Sequence, residues 1–283
     1  MSAPPVSGPL VLIALPRPLL AEVLRPGYPQ APADLGRRLD AVAHAVILGS
    51  DLLEPNTVTD TAGLDPSVAA ITLAAHTRRT GLVIAAAAHR DHPYNLARRV
   101  AGVDHATNGR AGLAIAEADP AATPGNPWTR GDSPVAPDAV TAIRELWRSF
   151  PADAIIADRD SGVFAESERI VAIDHRGAYD ITGPFQVPTS PQVWPPVFVS
   201  GLATKELVRV ADVVVPVDAG DAGVVVYRPA DALELDELLT VLPAVPEGRS
   251  ATLRSAFGLA APAAHPAGRA VFPAATTPEV SRA

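Results

Sequence analysis

The feature that most constrains this chain is a recurrence. Short apolar runs of strand length return along it, each separated from the next by a stretch with helical character. The runs are Leu10 to Leu15, Ala43 to Gly49, Gly81 to Ala88, Ala111 to Ala116, Pro196 to Gly201, Asp212 to Val217 and Gly223 to Tyr227. Runs this short and uniformly apolar suit parallel strands buried on both faces, and their alternation with helices predicts an α/β architecture of repeated βα units. The helices expected between them are Ala31 to Val42, Pro66 to Thr80 with Asp65 as N-cap, Pro93 to Asp104, Pro137 to Phe150, Thr204 to Val210 and Ala232 to Leu242. Several begin with proline in the first turn, where its missing N–H costs nothing.

Two stretches stand outside the alternation. Ile156 to Gln192 is a polar excursion whose Asp160-Ser161-Gly162 and Asp174-His175-Arg176-Gly177 have turn chemistry. It predicts a β-hairpin, Ile170 to Asp174 against Tyr179 to Gly183. Residues 262–283 are rich in Ala and Pro without periodicity, and are expected to be a disordered or loosely attached tail. Setting aside both, and the first few residues, leaves about 210 of the 283 residues, whereas an eight-unit barrel typically uses about 250. The count therefore gives about seven units. An open doubly wound sheet would also hold seven strands, although no G-x-G-x-x-G follows Leu10 to Leu15 to support its dinucleotide-binding form.

Charge and composition narrow the function classes. A net charge of −8 with no long Lys/Arg cluster leaves no footprint for nucleic acid. The absence of cysteine excludes disulfides, thiolate metal sites and cysteine nucleophiles, so nothing points to an oxidising compartment. Pro16 and Pro18 interrupt the first apolar run well short of the ~20 residues that span a bilayer. The run reads as a buried strand, and the protein as cytoplasmic with no membrane partner.

Few residues signal chemistry by position. Asp51 follows the second strand, where barrel enzymes place site residues, although a capping or solvated loop carboxylate has the same letters. Asp104, beside His105 at a helix end, reads as structural. His89 and His92 lie three apart after the third strand, but no third ligand is spaced near them and a polar loop explains them, so no metal is expected. The carboxylates Asp158, Asp160, Glu166, Glu168 and Asp174 are better explained by turns than by a glycosidase pair. Ser161 and Ser200 lack a nucleophile elbow.

With those residues laid out, the chain resembles the bacterial luciferase-like flavin monooxygenases, in the branch of nitrilotriacetate and dibenzothiophene-sulfone monooxygenases. The resemblance rests on P-Y-N-L-A-R-R at Pro93 to Arg99, D-H-A-T-N-G-R-A-G at Asp104 to Gly112 and E-L-W-R-S-F at Glu145 to Phe150. The excursion adds A-D-R-D-S-G-V-F-A, I-D-H-R-G and G-P-F-Q-V-P-T-S-P-Q, and T-L-R-S-A-F-G-L at Thr252 to Leu259 is similar to the branch's C-terminal end. It implies a TIM-type (β/α) barrel, here incomplete with about seven strands, forming a single domain over residues 1–261. It also implies reduced FMN supplied by a separate flavin reductase, dioxygen, and a small-molecule substrate.

Carried over residue by residue, the family's flavin contacts fall on Asp51, His89, Ser200, Gly201 and Thr204. No residue is singled out as catalytic. His89 stands where the family has hydroxyl residues, Leu113 and Ala114 replace a Trp-Asn pair, and a His and a Tyr that help hold the phosphate fall near Thr129 and Ser133. Val224 to Pro229 resembles the family's last strand, so the seventh barrel unit is missing. Exposed edges would then be covered by a homodimer partner or a full-length relative. The alternative reading is a non-catalytic scaffold or assembly subunit that keeps the barrel after losing the seventh unit and most phosphate contacts. A hydrolase or sugar-binding protein is a distant third.

Overall fold

The computed structural model describes residues 8–25, 32–54, 63–118, 135–217, 223–245, 252–263 and 268–274. In chain order its strands are β1 (Leu10–Leu15), β2 (Ala45–Leu48), β3 (Gly81–Ala87), β4 (Ala111–Ala116), β5 (Val171–Ala172), β6 (Val197–Ser200), β7 (Val213–Val215), β8 (Val224–Tyr227) and β9 (Arg269–Ala270). Its helices are α1 (Arg17–Val23), α2 (Pro32–Val42), α3 (Pro66–Ala74), α4 (Pro93–Thr107), α5 (Ala136–Arg148), α6 (Lys205–Val210), α7 (Ala232–Val241) and α8 (Leu253–Ala256). Seven parallel strands form one nearly closed barrel sheet in the order β7-β6-β4-β3-β2-β1-β8, as the seven apolar runs predict.

The period-two geometry of strands explains why these runs are apolar throughout. Leu12, Ala14, Ile47, Val83, Ala85 and Ala114 point inward and form the barrel interior. The alternate residues Ile13, Leu15, Val46, Leu48, Ile84 and Leu113 point outward beneath the helices. Both faces are buried, so neither could be polar.

The foot of the barrel is closed by α8, whose Thr252 N-cap forms a reciprocal capping box with Ser255. Leu253 enters the interior between Gly81 and Gly112; a Cβ on Gly81 would stand 2.4 Å from the Leu253 side chain. Phe257 meets Phe198 of β6 edge to face at 5.2 Å.

Three expectations need correction. The helix expected to reach Thr80 stops at Ala74, because the Asp40 carboxylate accepts the N–H groups of Arg78 (2.5 Å), Arg79 (2.9 Å) and Thr80 (2.7 Å) and pulls the chain into the turn before β3. Pro16 and Pro18 do not merely interrupt a strand but open α1, Pro16 as N-cap and Pro18 in the first turn. The expected hairpin of the excursion does form, with the Ile173 N–H on the Thr182 carbonyl at 2.9 Å and a reciprocal antiparallel bridge between His175 and Ile181, while β5 on its outer arm pairs in turn with β9. That pairing, with Val271 N–H on the Ile170 carbonyl at 3.0 Å, docks residues 269–271 of the stretch expected as a loose tail.

The missing seventh unit is visible in the topology. Residues 216–223 are all that separates β7 from β8, too few for a crossover helix, which needs a dozen residues or more. β7 and β8 are the two ends of the sheet and do not pair. No helix among the described residues is long and apolar enough to cross a membrane.

Candidate functional site

In parallel barrels the loops after each strand gather at one mouth. Here the turn after β2 is made possible by Gly49, whose φ of 85° favours glycine and leads directly into a single 3-10 turn, Ser50–Leu53. That turn lies over the mouth. Beneath it is a cavity of about 340 Å³, of ligand-binding size, lined among others by Ala14, Ile47, Ser50, Ser200, Val215 and Arg228. A smaller cavity of about 120 Å³ shares Leu53, Ser200 and Leu202 with it and reaches Glu117 at the end of β4.

Most of the charged groups described at this mouth are already engaged. Asp51 is 2% exposed and accepts two bonds from Arg17, one from its backbone N–H and one from its Nε, each 2.8 Å. The carboxylate thus fastens the start of α1 to the end of β2, an ion pair buried on the Asp51 side and partly buried on the Arg17 side. Arg228 donates to the Pro216 carbonyl at 2.6 Å and stands 4.0 Å from Glu54, joining the ends of β8 and β7 across the open side of the barrel.

At the turn after β6, Ser200 Oγ accepts the Leu202 N–H at 3.2 Å and the Gly201 N–H donates to the Val215 carbonyl at 2.8 Å. Thr204 caps α6, its Oγ1 accepting from the Leu207 N–H at 3.4 Å. The two donors of Thr204 itself go to Glu117: the backbone N–H to Oε2 at 3.0 Å and the hydroxyl to Oε1. A carboxylate of this chain therefore stands where an anionic ligand group would be received. His89 lies in the turn after β3 and lines neither cavity, while its neighbour His92 caps α4 by accepting the Tyr94 N–H at 3.2 Å. Thr129 and Ser133 lie outside the described residues.

The structure thus brings Asp51, Ser200, Gly201 and Thr204 to the strand ends around one mouth, with Ser200 in the cavity wall. Glu54, Glu117 and Arg228 were not singled out as site residues from sequence. The signal existed: Glu117 and Arg228 directly follow β4 and β8, as Asp51 closely follows β2, and the barrel rule that selects Asp51 selects them too.

The excursion supports this mouth from outside. The Tyr179 hydroxyl donates to the Ala88 carbonyl at 2.5 Å, holding the turn after β3. His175 lies between Glu145 (Nδ1 to Oε2, 2.9 Å) and Asp138 (Nε2 to Oδ1, 3.2 Å) and ties the excursion to α5. Gln192 joins three elements: its amide donates to Asp104 Oδ1 (2.6 Å) and the Ala111 carbonyl (2.8 Å), and its oxygen accepts the Arg254 N–H (2.7 Å). Burial pushes the Asp104 carboxyl up from the usual carboxylate range, only partly offset by hydrogen bonds from the Ala111 N–H and the Gln192 amide. Asp104 is structural, as its helix-end position suggests.

A parallel barrel with an apolar, part-polar cavity at its C-terminal mouth defines a class of ligand-binding and enzymatic scaffolds. Residues 33–222 match the luciferase-like monooxygenase family, and the chain belongs to that family. It is 31% identical over 149 residues to dibenzothiophene-sulfone monooxygenase of Rhodococcus erythropolis, covering 50% of this chain and 33% of that protein. To nitrilotriacetate monooxygenase component A of Aminobacter aminovorans it is 34% identical over 161 residues, covering 53% of this chain and 36% of that protein. The chain therefore spans about a third of the length of these relatives. In fold it is similar to a long-chain alkane monooxygenase, with a TM-score of 0.62 at 17% identity, over 76% of this chain and 57% of that one.

The family implies a flavin, and the described residues fit it unevenly. An apolar ring system suits the composition and volume of the mouth. A dianionic phosphate does not suit the Ser200–Thr204 turn, whose outward donors are held by Glu117.

Proposed function

We propose that this chain is a flavin-dependent oxygenase of a small organic molecule, working at the mouth of the barrel with reduced flavin delivered by a separate reductase and dioxygen as oxidant, in the cytoplasm. The observation that carries the reading is the cavity of about 340 Å³ at the strand ends of a luciferase-like barrel. When bound, the flavin supplies the oxygen chemistry. The chain's own part is binding, orientation and exclusion of water: Ala14, Ile47 and Val215 give apolar walls, Ser50 and Ser200 offer hydroxyls, and Leu53 and Leu202 close the rim. Asp51 acts here as a positioning residue that holds α1 against the turn over the cavity.

The test is a fluorescence titration of the purified chain with oxidised and reduced flavins, followed by oxygen uptake with a flavin reductase added. Saturable binding and reductase-dependent uptake support the reading. No binding of any flavin at high micromolar concentration overturns it.

The second reading, a non-catalytic scaffold or assembly subunit, is favoured by one observation: the sheet ends at β7 and β8 with no seventh unit between them. Flavin binding without any oxygen uptake, together with tight association with a longer relative, would select this reading.

A further inference from the structure

Among the described residues, the charges around the mouth do not cancel. In the larger cavity Glu54 stands beside Arg228, and Arg228 spends a further donor on the Pro216 carbonyl. That leaves Glu117 in the smaller, adjoining cavity. No Lys or Arg among the described residues forms an ion pair with Glu117; its two oxygens are held by the N–H and the hydroxyl of Thr204. A backbone N–H and a hydroxyl converging at a turn are what a bound phosphate or carboxylate would use. The chain fills that place with its own anion. Because the cavities share Leu53, Ser200 and Leu202, a ligand lying in the larger one meets the Glu117 carboxylate when it extends past Ser200.

We infer that Glu117 is a specificity-determining residue that makes the mouth select ligands without an anionic tail, so that it takes riboflavin in preference to its phosphate ester. This rests on the flavin reading above and refines it. A phosphate brought to the Ser200–Thr204 turn meets a carboxylate instead of donors. Like charges a few ångströms apart repel, and the two Thr204 donors that would compensate are already in use. An uncharged ribityl chain carries no such penalty, and its hydroxyls can donate to the Glu117 carboxylate.

Riboflavin and FMN differ only in the phosphate, which makes the comparison direct. Titration of the purified full chain with each, followed by fluorescence quenching, is expected to show riboflavin binding tighter by roughly tenfold or more. Raising the salt concentration should narrow that ratio by improving the affinity for FMN alone. Glu117→Gln, which keeps an acceptor for Thr204 and removes the charge, should bring FMN to within about threefold of riboflavin. FMN binding as tightly as riboflavin, or tighter, in the unaltered chain overturns the inference and leaves the flavin reading intact. Binding of neither flavin overturns both. The ratio in the unaltered chain and its salt dependence decide the matter even if the Gln variant fails to fold.

Discussion

At the scale of single residues, two buried carboxylates act in opposite directions. For Asp40, burial raises the pKa, but hydrogen bonds from Thr80, Arg78 and Arg79 outweigh it and hold the group below the usual carboxylate range. Its stabilising contribution is present above the ordinary aspartate pKa and is lost as pH falls through the folded value. Asp40→Ala leaves the N–H groups of the Arg78–Thr80 turn without their acceptor, and is expected to cost about 2–3 kcal/mol in urea unfolding at neutral pH. For Asp104 the folded pKa is raised, so the native state binds the proton more tightly than the unfolded chain. Stability is therefore lost as pH rises from about 3.9, the ordinary aspartate value, to the raised folded value, and is flat above it. Asp104→Asn should remove that fall. Unfolding free energies across a pH series should show the variant gaining on the unaltered protein through this window; a constant difference would contradict the sign. Asp40's role was not legible in sequence, because its partners are about forty positions away.

At the scale of elements, what was legible and what was not divide cleanly. β1 and β4 begin and end where their apolar runs do, since strand length is set by the run itself. The limits of α3 are not legible because Asp40, in a neighbouring helix, stops it; nor is α1, which opens on a proline cap, an arginine and a second proline, and whose arginine finds its partner, Asp51, only after the next strand. α8 is only one turn, and its importance comes from what it plugs. Leu253→Ala empties a site between Gly81, Gly112 and Phe198, and is expected to cost about 2–5 kcal/mol. Thermal unfolding read by circular dichroism checks this, with loss of one valine-sized group from a solvated helix as the contrast: Val241→Ala, at a position 75% exposed, should change stability by less than about 0.5 kcal/mol.

At the scale of the whole molecule, the open side of the barrel is the feature with the most consequence. Val214 of β7 is 44% exposed, and Leu233 of α7 is more so. Unpaired strand edges and exposed apolar side chains are rarely left uncovered. We expect the purified chain to be a dimer, or to associate with a longer relative, by light scattering. A monomer that stays monomeric at high concentration and in the presence of such a relative would contradict this. Val214→Lys, which places a charge on the edge strand, should weaken the association and leave the fold intact.

The apolar runs and their spacing were enough by themselves to determine an α/β chain of seven parallel strands, because burial on both faces demands uniformly apolar strands and βα alternation demands parallel order. The long signature excursion was equally plain in sequence as a marker of family. Its work as a brace, through Tyr179 on Ala88, His175 between Asp138 and Glu145, and Gln192 between Asp104, Ala111 and Arg254, was decided only by the tertiary structure. The same holds for the mouth. Asp51 and Thr204 could be placed there by position, but whether their polar groups face a ligand or each other's neighbours depends on Arg17 and Glu117, residues brought to them only when the barrel curls and its strand ends converge.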